Sequence, residues 1–128
     1  MIKLTFGIFL TGLVLTACAS PKFPESGINT PYDGKWSGRL LSEDHPCKTR
    51  LMFASGEVRY GYLKGVIKEN SKKTAEVWGQ LGDSGKLDGL LGLYGVSGGK
   101  ADIQFSSNSA SGKWESRDCK GTVELIKG

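Results

Sequence analysis

The chain has 128 residues, of which 38% are hydrophobic and 23% charged, with 19 glycines, three cysteines and a single histidine. That length suits one small domain. A formal net charge of +4, spread over scattered lysines and arginines with Lys72-Lys73 the only basic pair, argues against a nucleic-acid partner, and one histidine is too few for a convincing zinc site.

In chain order, the first element is Ile2 to Ala17, in which an apolar stretch starts after the single basic residue Lys3 and is interrupted by Gly7 and Gly12. A transmembrane helix needs about 20 apolar residues, whereas the hydrophobic region of a signal peptide needs about 7 to 15. The stretch ends in Leu13-Val14-Leu15-Thr16-Ala17-Cys18. A basic residue, an apolar run, two small residues and then cysteine resemble the signal peptide and lipobox of bacterial lipoproteins. The resemblance implies that Leu15, Thr16 and Ala17 are the lipobox and that the signal is cut before Cys18. The Cys18 thiol would take a diacylglycerol, and its freed amine a further acyl chain such as palmitate. Two or more buried chains make a stable membrane anchor where one is marginal. Ala19 and Ser20 follow, without the Asp typical of inner-membrane retention in enterobacteria, which favours the outer membrane of a diderm host. The expected location is therefore the cell envelope, on the periplasmic side or the surface.

Removing residues 1–17 from 128 leaves 111, with 16 basic residues against 13 acidic, or +3, because Lys3 is the only charge removed. Once Cys18 is assigned to lipid, Cys47 and Cys119 remain as a pair in an exported chain, where a disulfide is the expected state. The 71 residues between them would form the closed loop, a constraint worth about 4 kcal/mol in the chain-entropy treatment.

Residues 18–33 read as the lipidated cysteine and a flexible tether, with Pro21, Pro24 and Pro31 and no helical or strand period. From residue 34 to 128 the pattern is β. Trp36 and Leu40 share a face. Leu51 and Phe53 alternate with Arg50 and Met52, and Val58, Tyr60 and Tyr62 form a further alternation, the tyrosines reading as core-facing with polar tips. Val66-Ile67 continue or restart that strand. Ala75, Val77, Gly79 and Leu81 alternate with Glu76, Trp78 and Gln80. Leu87 to Tyr94 is a nearly continuous apolar run, and Ala101, Ile103 and Phe105 alternate again. Trp114 sits in the next segment, and Val123 and Leu125 face one way in the last. Turn compositions fall at 69–72, 82–85, 96–99 and 107–112. About eight strands at this spacing predict an all-β fold, a small antiparallel barrel of lipocalin-like form or a sandwich. Glycines inside the strands tilt the choice toward a barrel, whose sheet must bend sharply.

No catalytic constellation emerges, and the chain reads as a non-enzyme. His45 lies in Glu43-Asp44-His45-Pro46-Cys47, a turn in which neighbouring side chains do not face one another. Ser84-Gly85-Lys86 and Gly98-Gly99-Lys100 lack the spacing of a phosphate loop, and no cofactor motif is present. Among the aromatics, Trp78 lies opposite Val77 and Leu81; with Tyr94 it is the candidate for an exposed binding patch. Gly34-Lys35-Trp36 followed by Cys47 looks like the opening strand of small periplasmic inhibitors of bacterial metalloproteases, which are eight-stranded barrels. The expected function is that of a lipid-anchored accessory protein with a non-catalytic binding or structural domain, docking onto an envelope protein. The alternatives are inhibition of a protease or cell-wall hydrolase, with 96–99 as its exposed loop, and carriage of a small apolar ligand in the barrel.

Overall fold

The computed structural model describes residues 21–43, 49–93 and 95–128. It is a closed antiparallel barrel in which each strand pairs with its neighbours in sequence: β1 (Gly34–Ser42), β2 (Leu51–Arg59), β3 (Tyr62–Glu69), β4 (Lys72–Gln80), β5 (Lys86–Leu93), β6 (Val96–Phe105), β7 (Ser109–Ser116) and β8 (Lys120–Lys127). The ring closes through β1 and β8, from Trp36 opposite Lys127 to Ser42 opposite Gly121. At the seam the Gly128 amide donates to the Lys35 carbonyl at 3.0 Å, so the residue after β8 is tied to the start of β1.

Strand alternation puts Trp36, Leu40, Val58, Leu63, Ile67, Val77, Leu87, Leu91, Ile103, Phe105, Trp114, Val123 and Leu125 in one buried core. Each strand also turns one glycine inward, from Gly38 in β1 to Gly121 in β8. These glycines mark the close approaches of a small, sharply curved barrel. A methyl at Gly38 would collide with the Glu124 carbonyl oxygen and lie 2.7 Å from the Leu125 Cα, and one at Gly121 would collide with the Leu41 carbonyl.

Two hairpins have the tight turns that twisted strands favour, with positive φ at both central residues. Tyr60 and Gly61 (φ 52° and 75°) join β2 to β3, and Asn70 and Ser71 (φ 52° and 66°) join β3 to β4. The first revises the expected alternation: Tyr60 is a turn residue and Tyr62 opens the next strand, so the two do not share a core-facing side. Of the segments expected as turns, 96–99 instead begins β6, with Val96 opposite Leu93 and Gly99 opposite Leu91. Likewise β7 already starts at Ser109, leaving the tighter Ser106-to-Ser109 connection.

The barrel has two distinct ends. At the end holding the 60–61, 81–85 and 106–108 connections, Tyr32 packs against the core beside Trp36 and Phe105. The Trp36 and Phe105 rings meet edge to face with centroids 4.9 Å apart, and Trp36 Nε1 donates to the Tyr32 carbonyl at 2.9 Å. The opposite end holds the 69–72 and 117–119 connections and is the barrel mouth.

From Pro21 onward the segment expected to be a mobile tether is tied to the barrel. Phe23 meets Tyr62 edge to face at 6.4 Å, with Arg59 and Lys64 over its ring at 4.5 and 5.3 Å. Lys127 Nζ donates to the Pro31 carbonyl. The Asp33 carboxylate accepts from the Tyr60 and Gly61 amides at 3.0 Å each and from the Thr30 hydroxyl at 2.6 Å. Burial alone would raise the Asp33 pKa, but these donors together outweigh it and hold the group below its ordinary 3.8. A carboxyl depressed in the folded state contributes stability above its unfolded pKa and loses it as pH falls through the folded value. Asp33→Asn should therefore cost about 2 kcal/mol at neutral pH, and the deficit should shrink as the medium is acidified below pH 3.8. Urea unfolding of both proteins across that range reads it directly.

Candidate functional site

The barrel interior is packed. The inner cavity between Trp36, Ile67, Val77, Ile103 and Trp114 has a volume of about 20 Å³, room for roughly one water molecule. A ligand carried inside the barrel, one of the expected alternatives, has no space there: the inward tryptophans and leucines fill it.

One cluster of exposed apolar side chains lies on the outer wall of β8, β1 and β2. Leu41 pairs with Leu51, and Arg39 stands between Phe53 on one side and Glu124 on the other. Ile126 is opposite Ser37 in the adjoining row. Phe53 is 58% exposed and Ile126 64%, with Leu41 and Leu51 near half. The Arg39 guanidinium and the Glu124 carboxylate, 3.5 Å apart, cross the patch as a solvated ion pair. Between Phe53 and Ile126 runs a groove of about 510 Å³. The cause is the phase of β2: Met52, Ala54, Gly56 and Val58 occupy the interior, and the bulkier Leu51 and Phe53 are left on the solvent side.

Trp78 stands on the outer wall, opposite Lys64 and Leu90, as the alternation requires. It is only 8% exposed, and Pro21 and Phe23 line the same hollow of about 400 Å³. The indole offered as a candidate for a binding patch is thus a covered one, and a cluster of exposed apolar side chains lies around Phe53. Burial in this neighbourhood also pushes the Tyr62 phenol above its ordinary pKa. Tyr94, His45, Cys47 and Cys18 fall outside the described residues.

Cys119, just before β8, is disulfide-bonded. Cys119→Ser should lower stability by about 2–4 kcal/mol, read as a fall in the urea midpoint. A reductant should produce the same loss in the parent and none in the variant.

At the mouth, Leu40, Met52, Ile67, Leu91 and Trp114 form the floor of a hollow of about 490 Å³, with Arg50 and Arg117 on its lining. The Arg50 guanidinium is held in a two-pronged ion pair by Glu69, with Nε donating at 2.8 Å. The hairpin base is pinned by the buried Ser42, whose Oγ accepts from the Arg50 amide at 2.7 Å. Trp114 is 7% exposed and its Nε1 has no hydrogen-bond partner, whereas the indole N–H of Trp36 is satisfied. An unmade hydrogen bond at a buried donor costs about 1–3 kcal/mol.

Among the described residues no group of three or more His, Cys, Asp and Glu side chains gathers as a metal site, and no helix is long and apolar enough to cross a membrane. Fold and surface together define the class: a small up-and-down β-barrel with a filled core, an apolar outer patch and a hollow mouth. No protein-family model matches the chain, and no curated protein matches its sequence.

Proposed function

We propose that this is a membrane-anchored envelope lipoprotein, held by acylated Cys18, whose barrel docks onto a protein partner through the β8–β1–β2 wall. The observation that supports docking is the exposed cluster of Phe53, Ile126, Leu41 and Leu51 around the Arg39–Glu124 pair. Large apolar side chains clustered on an outer wall mark interaction surfaces. A charged pair within the cluster suits a protein partner, whose own polar groups can meet it. Among the described residues the N-terminal segment packs elsewhere, with Phe23 on the β2–β3 side at Arg59, Tyr62 and Lys64.

The test is capture from native envelopes in mild detergent with the full-length chain, alongside Cys18→Ala and Phe53→Asp. A stoichiometric partner is expected with the parent, lost with Phe53→Asp and diminished when Cys18→Ala removes the anchor. A membrane-bound parent with no partner would end the docking reading. Parent and Cys18→Ala fractionating alike as soluble protein would end the lipid-anchor reading.

Inhibition of an envelope protease or cell-wall hydrolase is the second reading. It draws on Val96, 73% exposed at the start of β6, which offers an apolar side chain to an enzyme cleft. Val96→Asp should then abolish inhibition while leaving partner capture through Phe53 intact.

A further inference from the structure

We propose that the barrel mouth is a binding site for a compact carboxylic acid with an apolar tail, of the size of a medium-chain fatty acid. The site is separate from the Phe53 wall and does not depend on the lipid anchor. Its volume of about 490 Å³ falls within the range of small-molecule pockets, about 300–1,000 Å³. The cavity beneath it, about 20 Å³, is too small to admit a chain, so the ligand rests in the mouth and does not thread the barrel. This sets an upper limit on tail length.

The lining states the chemistry. Leu40, Met52, Ile67 and Leu91 present an apolar floor, and the charged side chains among the described lining residues, Arg50 and Arg117, are both cationic. Glu69 already holds Arg50, which leaves Arg117 as the cation for an incoming acid. Trp114 supplies the second, independent indication. Its indole lies against both the mouth and the small inner cavity, is more than nine-tenths buried, and carries an N–H with no acceptor. Trp114 and Arg117 belong to the same end of the chain around β7, the strand's last residue being Ser116. A carboxylate can therefore give an acceptor to the indole and a negative charge to the guanidinium while its tail covers the apolar floor. A neutral alcohol of equal length lacks the charge, and a cationic amphiphile would be repelled.

The experiment uses the whole chain with Cys18→Ala, kept free of detergent and labelled with ¹⁵N. The protein has three tryptophans, hence three indole N–H resonances, and Trp114→Phe assigns the relevant one. Sodium decanoate, below its micelle concentration, should shift the Trp114 resonance saturably and leave that of Trp36 unmoved, since Trp36 already donates to Tyr32. Arg117→Gln should weaken decanoate at least about tenfold with the indole spectrum otherwise preserved, and decanol should bind more weakly than decanoate. In the Trp114→Phe protein the two remaining indole resonances report folding, and affinity should fall. An unshifted Trp114 resonance, an equal response to decyltrimethylammonium, or undiminished binding by either variant would overturn the proposal.

Discussion

Gly38→Ala should destabilise the barrel by about 3 kcal/mol or more, although the substitution adds one methyl group. Gly38 faces inward in β1 at the closing seam, opposite Leu125 of β8. The added methyl would meet main chain: the Glu124 carbonyl oxygen in collision, and the Leu125 Cα at 2.7 Å. A flexible side chain could swing away from such a contact, but a strand in the ladder cannot move without breaking its hydrogen bonds. Overpacking in a core costs about 1–3 kcal/mol, and a backbone collision at the closing pair belongs at or above the top of that range. A small domain holds about 5–15 kcal/mol in all. Gly98→Ala is the matched control, also a strand glycine, but with nothing within 4 Å of its added methyl; its change should stay within about 0.5 kcal/mol. Circular dichroism and urea unfolding of the two variants side by side decide the matter. Equal stabilities would mean that the inward glycines do not set the curvature.

Trp36→Ala should be the most damaging truncation of a side chain. Trp36 is 2% exposed, packs edge to face on Phe105 and donates to the Tyr32 carbonyl. Removing it opens a cavity, unlinks the closed end from the segment that covers it, and leaves that carbonyl without its indole donor. Large aromatic-to-alanine changes in cores cost about 3–5 kcal/mol. In a domain of this size each kcal/mol lowers Tm by about 4–8 °C. Trp36→Phe keeps the ring contact and loses the donor, so it should recover most of the loss. If Trp36→Phe were as damaging as Trp36→Ala, the hydrogen bond to Tyr32 and not the packing would be what closes that end.

The barrel was legible in the sequence because its signals are local. Alternation with period two placed Trp36, Leu40, Val77, Ile103, Phe105, Val123 and Leu125 on inner faces, and the structure has them there. Glycines recurring inside strands pointed to curvature over a flat sheet. The sequence was less clear where two signals overlapped. Tyr60 and Tyr62 continue the apparent alternation of Val58 straight through a hairpin, because a tyrosine rarely adopts φ 52° and so does not announce the turn; across that turn the inward parity switches, and Val58 is paired with Leu63. Leu51 and Phe53 look like the core face of β2 by size, and only the neighbouring register shows that Met52, Ala54 and Val58 take the interior. The unpaired Trp114 N–H, the packed interior and the covering of Trp78 arise from residues far apart in sequence, so no short window of sequence could contain them.

The meeting of Gly128 with Lys35 has a topological consequence. Seven of the eight strand pairings are between consecutive strands, and the eighth joins the first strand to the last. Bridging the two ends would make the chain a continuous ring with no first strand, and a cut at the Asn70-Ser71 turn would yield a differently ordered sequence with the same neighbours throughout. The order of the strands along the gene is therefore one of several that encode this architecture. What the present order adds is where the N-terminal segment attaches: it leaves at the closed end, away from the mouth.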